Sequence, residues 1–165
     1  MSTLPRVRGI DQNHCFATWE RVLIQIWRGE ATAEAAQELL TLSRAFLTEI
    51  GGEVGNSLSI VESRSPPPTD KVRPLLTACY RELAPVTRNQ IFVAEGSGFR
   101  SALIRGVGLT VSTFAPSLLP FKFAASVDEA AITIAPSLSP KSGGAEGLKK
   151  VIADLRRKLD DLSPR

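Results

Sequence analysis

Apolar and polar residues alternate along this chain in segments that predict strands and helices in turn. Short apolar runs rich in β-branched and aromatic residues are typical of strands, and apolar positions spaced by three and four are typical of helices. Strands are predicted at residues 15–19 and 21–27, as a pair or as one long bent strand, and at 57–61, 90–94 and 121–124. Helices are predicted from about 33 to 50, from a start near 69–73 to 84, after Ser97, and from 127 to about 135. This order predicts one α/β domain whose mixed, mostly parallel sheet of four or five strands is flanked by helices, with the N-terminal strand pair as an antiparallel edge.

Two of these helices carry start signals. Thr32 precedes the first helix as a candidate N-cap, and an apolar stripe follows it. That stripe consists of Ala35, Leu39, Leu42, Phe46 and Ile50. Ser126 precedes the last helix of the domain, and Glu129 lies three residues later, which predicts a capping box.

Composition along the chain predicts four segments. Residues 1–13 are polar and predict a mobile N-terminal segment, residues 14–136 form the α/β domain, and residues 137–145 have the Pro, Ser and Gly content of a linker. Residues 146–163 predict an amphipathic C-terminal helix whose apolar seam has the spacing of a short coiled coil. The seam residues are Leu148, Ile152, Leu155, Leu159 and Leu162. Two interpretations stay open: the helix packs on its own domain, or it contacts another chain, including a second copy in a homodimer.

The net charge of +3 lies in the tail, because residues 141–165 hold seven cations and four anions. The interleaved anions favour a solvated helix face over a nucleic-acid interface. Residues 1–14 lack the apolar centre of a secretory signal, and the longest uncharged run, 106–121, is too short for a membrane span. We therefore expect a cytoplasmic protein without a membrane span.

Few residues carry reactive chemistry. Cys15 and Cys79 are far apart in sequence and are predicted to be buried free thiols. His14, the only histidine, is predicted to be a solvated surface residue. Neither a metal-ligand cluster nor a catalytic constellation is evident. We therefore expect no metal, no cofactor and no enzymatic activity.

A Gly-rich turn, Gly96-Ser97-Gly98, follows the strand at 90–94. Its backbone N–H groups suit an anion, with Arg100 or Arg105 nearby, because such turns expose donors at a helix start. The alternative is a tight turn in which Ser97 caps the next helix.

The phrases Val93-Ala94-Glu95-Gly96-Ser97-Gly98-Phe99 and Phe121–Ala131 carry a resemblance to a known family. With the order of elements, they make residues 15–135 similar to STAS-type domains, the fold of anti-sigma-factor antagonists and of the cytosolic domains of sulfate transporters. The chain is most similar to the uncharacterised bacterial STAS-like proteins. The resemblance implies a non-enzymatic regulatory module that binds a protein partner.

In some STAS domains a hydroxyl at the start of the second long helix is phosphorylated, within an Asp-Ser-Ser-Gly-like motif. The corresponding region here, residues 62–70, lacks that motif but holds three hydroxyls: Ser63, Ser65 and Thr69. The resemblance therefore makes this stretch a candidate phosphorylation or switch loop. A phosphate on Thr69 would add nearly two negative charges at the positive end of the following helix dipole.

The alternative function is binding of a small apolar or anionic ligand, such as a lipid-like molecule or a phosphate-bearing metabolite. Five aromatic residues are candidates for lining an apolar pocket, although filling the core is favoured for them: Trp19, Trp27, Phe92, Phe99 and Phe114. A third possibility is an enzyme with unrecognised chemistry.

Overall fold

The computed structural model describes residues 4–96 and 121–163. In this part of the chain, six strands form one sheet in which spatial order follows chain order. The strands are β1 (Arg6–Ile10), β2 (His14–Trp19), β3 (Val22–Trp27), β4 (Gly55–Val61), β5 (Thr87–Ala94) and β6 (Phe121–Ala124). Pairings β1–β2 and β2–β3 are antiparallel, whereas β3–β4, β4–β5 and β5–β6 are parallel.

Four helices flank the described sheet: α1 (Ala33–Glu49), α2 (Arg73–Leu83), α3 (Val127–Ile134) and α4 (Gly144–Leu162). Helices α1 and α2 pack on one face of the sheet, and α3 and α4 pack on the other. The predicted α/β class with a C-terminal helix is therefore confirmed. The predicted strand number was one or two too low, and the sheet is parallel only from β3 onward.

The additional strand is β1, which lies in the segment predicted to be mobile. Its five residues pair with β2 along the edge of the sheet, and a bulge at Arg8 interrupts the register. The Arg8 Nε donates to Thr18 Oγ1 at 3.2 Å, and Arg8 also pairs with Glu49. The segment was missed because a five-residue edge strand with two arginines and a glycine has no apolar run to reveal it.

Both predicted caps are present. The Ala35 backbone N–H donates to Thr32 Oγ1 at 3.1 Å, and the Glu129 N–H donates to Ser126 Oγ at 3.2 Å. The Glu129 carboxylate accepts from the Ala125 N–H at 2.8 Å. In a standard capping box it would accept from the N–H of the N-cap residue itself, here Ser126.

The segment predicted as a linker is attached to the sheet. Two short 3₁₀ turns lie in this region, at Ala135–Ser137 and Pro140–Ser142. The Glu20 carboxylate, in the tight turn between β2 and β3, accepts from the Ser139 N–H at 2.9 Å and the Ser139 hydroxyl at 2.7 Å. Gly147 then packs so closely on this connection that an added Cβ would lie 1.9 Å from the Ser142 carbonyl oxygen.

Candidate functional site at the carboxyl ends of the parallel strands

Each of three neighbouring parallel strands is followed directly by a charged residue. Arg28 follows β3, Glu62 follows β4 and Glu95 follows β5. The backbone ladder continues past the strands, because the Glu62 N–H donates to Trp27 O at 2.8 Å and the Glu95 N–H to Val61 O at 2.9 Å. Carboxyl ends of parallel strands meet at one edge of a sheet, where α/β proteins commonly bind ligands. These three side chains therefore stand side by side at that edge.

Helix α4 completes this edge with one cation and one anion. Arg28 donates through Nε to Glu62 at 2.7 Å and through Nη1 to Asp160 at 2.7 Å. Arg156 donates to Glu95 at 2.5 Å, and its Nε lies 3.4 Å from a Glu62 oxygen. We call this set the strand-end network: Arg28, Glu62, Glu95, Arg156 and Asp160.

The charged side chains at the centre of the network are nearly buried, and the one at its rim is exposed. The hydrogen bond to Glu62, reinforced by Asp160, raises the pKa of Arg28 in spite of partial burial. The side chains of Arg28 and Glu62 are 17% and 15% exposed, whereas Asp160 is 66% exposed. The Arg156 Nε is buried without a hydrogen-bond partner among the described residues. The network thus joins nearly buried charges at its centre to one exposed carboxylate, Asp160, at its rim.

A cavity of about 340 Å³ opens over this network. Its lining residues are Arg28, Glu62, Ser63, Arg64, Glu95, Asp160 and Ser163. Three of these are carboxylates and two are guanidinium groups, so the lining is polar and of mixed sign. Such a surface suits recognition of a polar partner better than burial of an apolar ligand.

Of the three candidate switch hydroxyls, only Ser63 reaches this edge. Ser63 is exposed, while Ser65 is buried and donates to the Gly29 carbonyl oxygen at 2.7 Å. Thr69 is exposed, but α2 begins at Arg73 and no described side chain caps it. The Thr69 carbonyl, not its hydroxyl, accepts from the N–H groups of Val72 and Arg73 at 3.0 Å. Thr69 therefore does not cap α2, which begins at Arg73, at the late end of the predicted range of starts.

The Gly96 turn adjoins the same loop. Gly96 has φ +91°, a conformation that favours glycine, and an added Cβ would lie 3.0 Å from the Ser63 Cβ. The remaining residues of the predicted anion site, Ser97, Gly98, Arg100 and Arg105, lie outside the described residues, as does the helix predicted after Ser97. Anion binding there stays a prediction, while Gly96 itself lies close to Ser63.

The apolar seam of α4 is used inside the domain. Four of its members are buried against the sheet, and Leu162 is 48% exposed. The buried members are Leu148, Ile152, Leu155 and Leu159. Of the two interpretations, the structure shows the first: the seam packs on its own domain and covers the second face of the sheet. A homodimer stays a prediction. The flank of α4 next to the seam brings Arg156 and Asp160 to the strand ends.

Of the five aromatic residues that are candidates for an apolar pocket, the structure describes three, and all three are buried in the core. Trp19, Trp27 and Phe92 are 2%, 4% and 4% exposed and fill the two halves of the core. Phe99 and Phe114 lie outside the described residues. The core interpretation therefore accounts for the three aromatics that the structure places.

The single-residue predictions had different outcomes. Both cysteines are free and buried, and burial raises the pKa of Cys15 to about 11 and of Cys79 to about 12. The prediction for His14 is wrong: it is 5% exposed, because it opens β2 beneath α1 instead of preceding the first strand. Within residues 4–96 and 121–163 no group of three or more His, Cys, Asp or Glu side chains is placed to hold a metal ion.

Sequence reasoning missed the strand-end network. The available signal was the repeated placement of a charged residue directly after each parallel strand, at positions 28, 62 and 95. The two partners from α4 had no such signal, because they are distant in sequence. Arg156 lies 61 residues after Glu95, and Asp160 lies 132 residues after Arg28.

Comparisons of the chain with protein-family models, with curated proteins and with solved structures find no match. In the described part of the chain, every helix is either too short or too polar to cross a membrane.

Proposed function

We propose that this protein is a cytoplasmic regulatory module of STAS-like type and that the edge bearing the strand-end network contacts its protein partner. The observation that carries the proposal is convergence at one edge. The Ser63 loop and α4, which the sequence marked as separate candidate contact regions, line a single cavity, and Gly96 of the third candidate region lies next to Ser63.

The electrostatics of this edge support partner binding. Ion pairs at a solvated surface contribute only about 0–1 kcal/mol each, so they exchange partners at little cost. Asp160 and Arg64 are exposed at the rim. A partner carboxylate that replaces Asp160 on Arg28 would therefore gain a charge-assisted bond without opening the core.

The strand order also supports the resemblance to STAS domains. Strands β3 to β6 are parallel and adjacent in chain order, as expected when each β-α unit is laid beside the previous one. Loops at the carboxyl ends of such strands are free to vary while the sheet holds them in place.

The test is site-specific photo-crosslinking in the native cell, with a photoreactive amino acid at position 64 and, as the matched control, at position 81. Arg81 is an exposed arginine on α2, away from the strand-end cavity. We expect a discrete crosslinked polypeptide from position 64 and none from position 81. The Arg64→Glu variant should reduce capture of that same polypeptide at least tenfold, while Arg81→Glu leaves it unchanged.

Equal crosslinking at both positions, or equal capture by both charge-reversal variants, would place the contact elsewhere. Far-UV circular dichroism and the thermal midpoint of each variant confirm that the fold is retained. Both substitutions are on exposed side chains, so each should change stability by less than about 0.5 kcal/mol.

A further inference from the structure

The connection from β4 to α2 contains three consecutive prolines, at residues 66–68. Pro66 and Pro67 are exposed, whereas Pro68 is buried. Residues 65–69 form no helix, strand or turn, and α2 begins only at Arg73. We call residues 65–69 the proline strap. The strap thus displays two adjacent proline rings on the surface of the protein.

Elementary backbone chemistry restricts the strap to a polyproline II conformation. A proline ring fixes φ at about −65°, and a residue that precedes a proline is disfavoured from the α region. Ser65, Pro66 and Pro67 each precede a proline, and the peptide bonds in the described part of the chain are all trans. Pro66 and Pro67 are therefore confined to the polyproline II region by covalent structure alone.

Both ends of the strap are fastened to the domain. Ser65, which is 3% exposed, donates through Oγ to the Gly29 carbonyl oxygen at 2.7 Å, and its N–H donates to Glu62 O at 2.9 Å. At the other end the Pro68 carbonyl oxygen accepts from Arg73 Nε at 3.2 Å. Folding therefore fixes the segment on each side of the two exposed rings and leaves the rings themselves uncovered.

The two exposed prolines make no polar contact within the described part of the chain. Proline has no N–H, and neither Pro66 nor Pro67 accepts a hydrogen bond from a described residue through its carbonyl oxygen. The strap therefore offers ring surface and free acceptors together. Grooves lined by aromatic side chains recognise this combination, because the rings pack on the aromatic faces and Tyr or Trp donors reach the carbonyl oxygens.

A cation directly precedes the strap. Arg64 is exposed, lines the strand-end cavity and makes no ion pair with a described residue. The three carboxylates of that cavity already pair with the arginines of the strand-end network. A carboxylate from a partner would therefore find in Arg64 a guanidinium group without a competing ion pair, two residues before the first exposed proline.

We propose that the proline strap is a docking segment for a partner domain whose groove is lined by aromatic side chains and carries a carboxylate. The groove packs its aromatic rings on Pro66 and Pro67, and its carboxylate pairs with Arg64. Because the strap is already restricted in the folded protein, docking orders little additional chain. This inference rests on the proposed function, since Arg64 belongs to the edge assigned to the partner, and it adds the chemistry by which that partner recognises the protein.

The first test extends the crosslinking experiment to the strap. A photoreactive amino acid at position 67 is compared with one at position 85, where an exposed proline lies in a 3₁₀ turn before β5, at the other end of the strands. Mass spectrometry then identifies the crosslinked segment of the partner. We expect position 67 to crosslink the same polypeptide as position 64, at a segment that contains tryptophan, tyrosine or phenylalanine. Position 85 should give no product.

The second test measures capture of that polypeptide by full-chain variants. Pro66→Ala and Pro67→Ala should each reduce capture about tenfold, which is the loss expected when one anchor of an interface is removed. Alanine in place of the crosslinked aromatic residue of the partner should reduce capture by a similar factor. Pro85→Ala is the matched control and should leave capture unchanged. Far-UV circular dichroism and the thermal midpoint verify that each variant keeps its fold.

The possible results separate this inference from the proposed function. Crosslinking from position 64 but not from position 67, with wild-type capture by both proline variants, overturns the docking strap and leaves the partner at the strand-end network. A crosslink from position 67 to a second copy of this chain, or to a partner segment without aromatic residues, also overturns the strap. The absence of crosslinks from both positions overturns the strap and the proposed function together.

Discussion

The two faces of the sheet are both covered by helices, but the side chains beneath those helices differ in kind. Under α3 and α4 the central strands present mainly apolar side chains: Ile24, Ile26, Leu58, Ile60, Ile91 and Val93. The exception is a buried pair at the amino ends of β4 and β5, where Asn89 donates to Asn56 at 3.0 Å and Asn56 donates to Ser137 at 2.8 Å. Under α1 and α2 the same strands present a buried polar row: Gln25, Ser57, Ser59 and Gln90. A largely apolar face binds its helices through close packing of side-chain volumes, whereas the face with the polar row requires particular hydrogen-bond partners.

The polar face is organised around Gln25. Its amide donates to Ser57 Oγ at 3.1 Å, and its carbonyl oxygen accepts from Ser59 Oγ at 2.9 Å and Tyr80 OH at 3.3 Å. Gln90 donates to the Tyr80 carbonyl oxygen at 2.8 Å. These bonds join β3, β4, β5 and α2, so a one-residue slip of any of them would leave buried polar groups unpaired. The comparison teaches that the two faces differ in their main contribution. Apolar burial under α3 and α4 stabilises the fold, whereas the hydrogen bonds under α1 and α2 fix the register of the strands.

The largest effect should come from the apolar face. Leu155→Ala, at a fully buried position of α4, should lower the free energy of unfolding by about 3 kcal/mol, because a buried leucine is replaced by a cavity. Urea unfolding measures the change. The exposed Leu162→Ala on the same helix is the control and should cost less than about 0.5 kcal/mol. A similar loss from both variants would mean that α4 is not docked through its seam.

An intermediate effect should come from the polar face. Gln25→Met keeps the side-chain length but leaves Ser57, Ser59 and Tyr80 without their shared partner, so the free energy of unfolding should fall by about 2 kcal/mol. Unlike substitutions on the apolar face, substitutions in the polar row should have non-additive effects on the free energy of unfolding. Adding Ser59→Ala to Gln25→Met should cost less than Ser59→Ala alone, because the unpaired hydroxyl is removed. If the two losses simply add in this double-mutant cycle, Gln25 and Ser59 are not energetically coupled, and the proposed role of the polar row in fixing the strand register is wrong.

The smallest effect on the free energy of unfolding should appear only at alkaline pH, and it comes from the two buried thiols, one on each face of the sheet. Cys15 lies on the apolar face and Cys79 on the polar face, where its sulfur is 3.2 Å from Ser43 Oγ. Burial raises the pKa of both thiols, so the folded state disfavours the thiolate that the unfolded chain forms above about pH 9. Stability from this source is complete below pH 9 and is lost as the pH rises further.

Cys79→Ala tests this directly. Its stability deficit relative to wild type should shrink between about pH 9 and 10.5, by about 1 kcal/mol per pH unit, and Cys15→Ala should behave in the same direction. Urea unfolding at three pH values is sufficient. A deficit that stays constant with pH would show that the thiol is not kept protonated by burial.

The sequence predicted elements whose signal is local and missed contacts that join distant segments. The α1 stripe, the Thr32 cap and the Ser126 box follow from residues within one or two turns of each other, and all three are present. Strand β1 and the buried state of His14 depend on pairing with β2 and on cover from α1. The strand-end network depends on α4 returning to the sheet, which no short-range pattern encodes.

The docked connection before α4 has a consequence for finding relatives of this protein. Glu20 is a non-glycine residue at φ +50°, its carboxylate accepts two hydrogen bonds from Ser139, and Gly147 leaves no room for a side chain beside Ser142. We expect each of these positions to accept few substitutions, although they are spread over more than 120 residues of sequence. A tight-turn glutamate, a distant serine and a glycine eight residues after that serine thus form a sparse fingerprint by which divergent homologues can be recognised when overall identity has been lost.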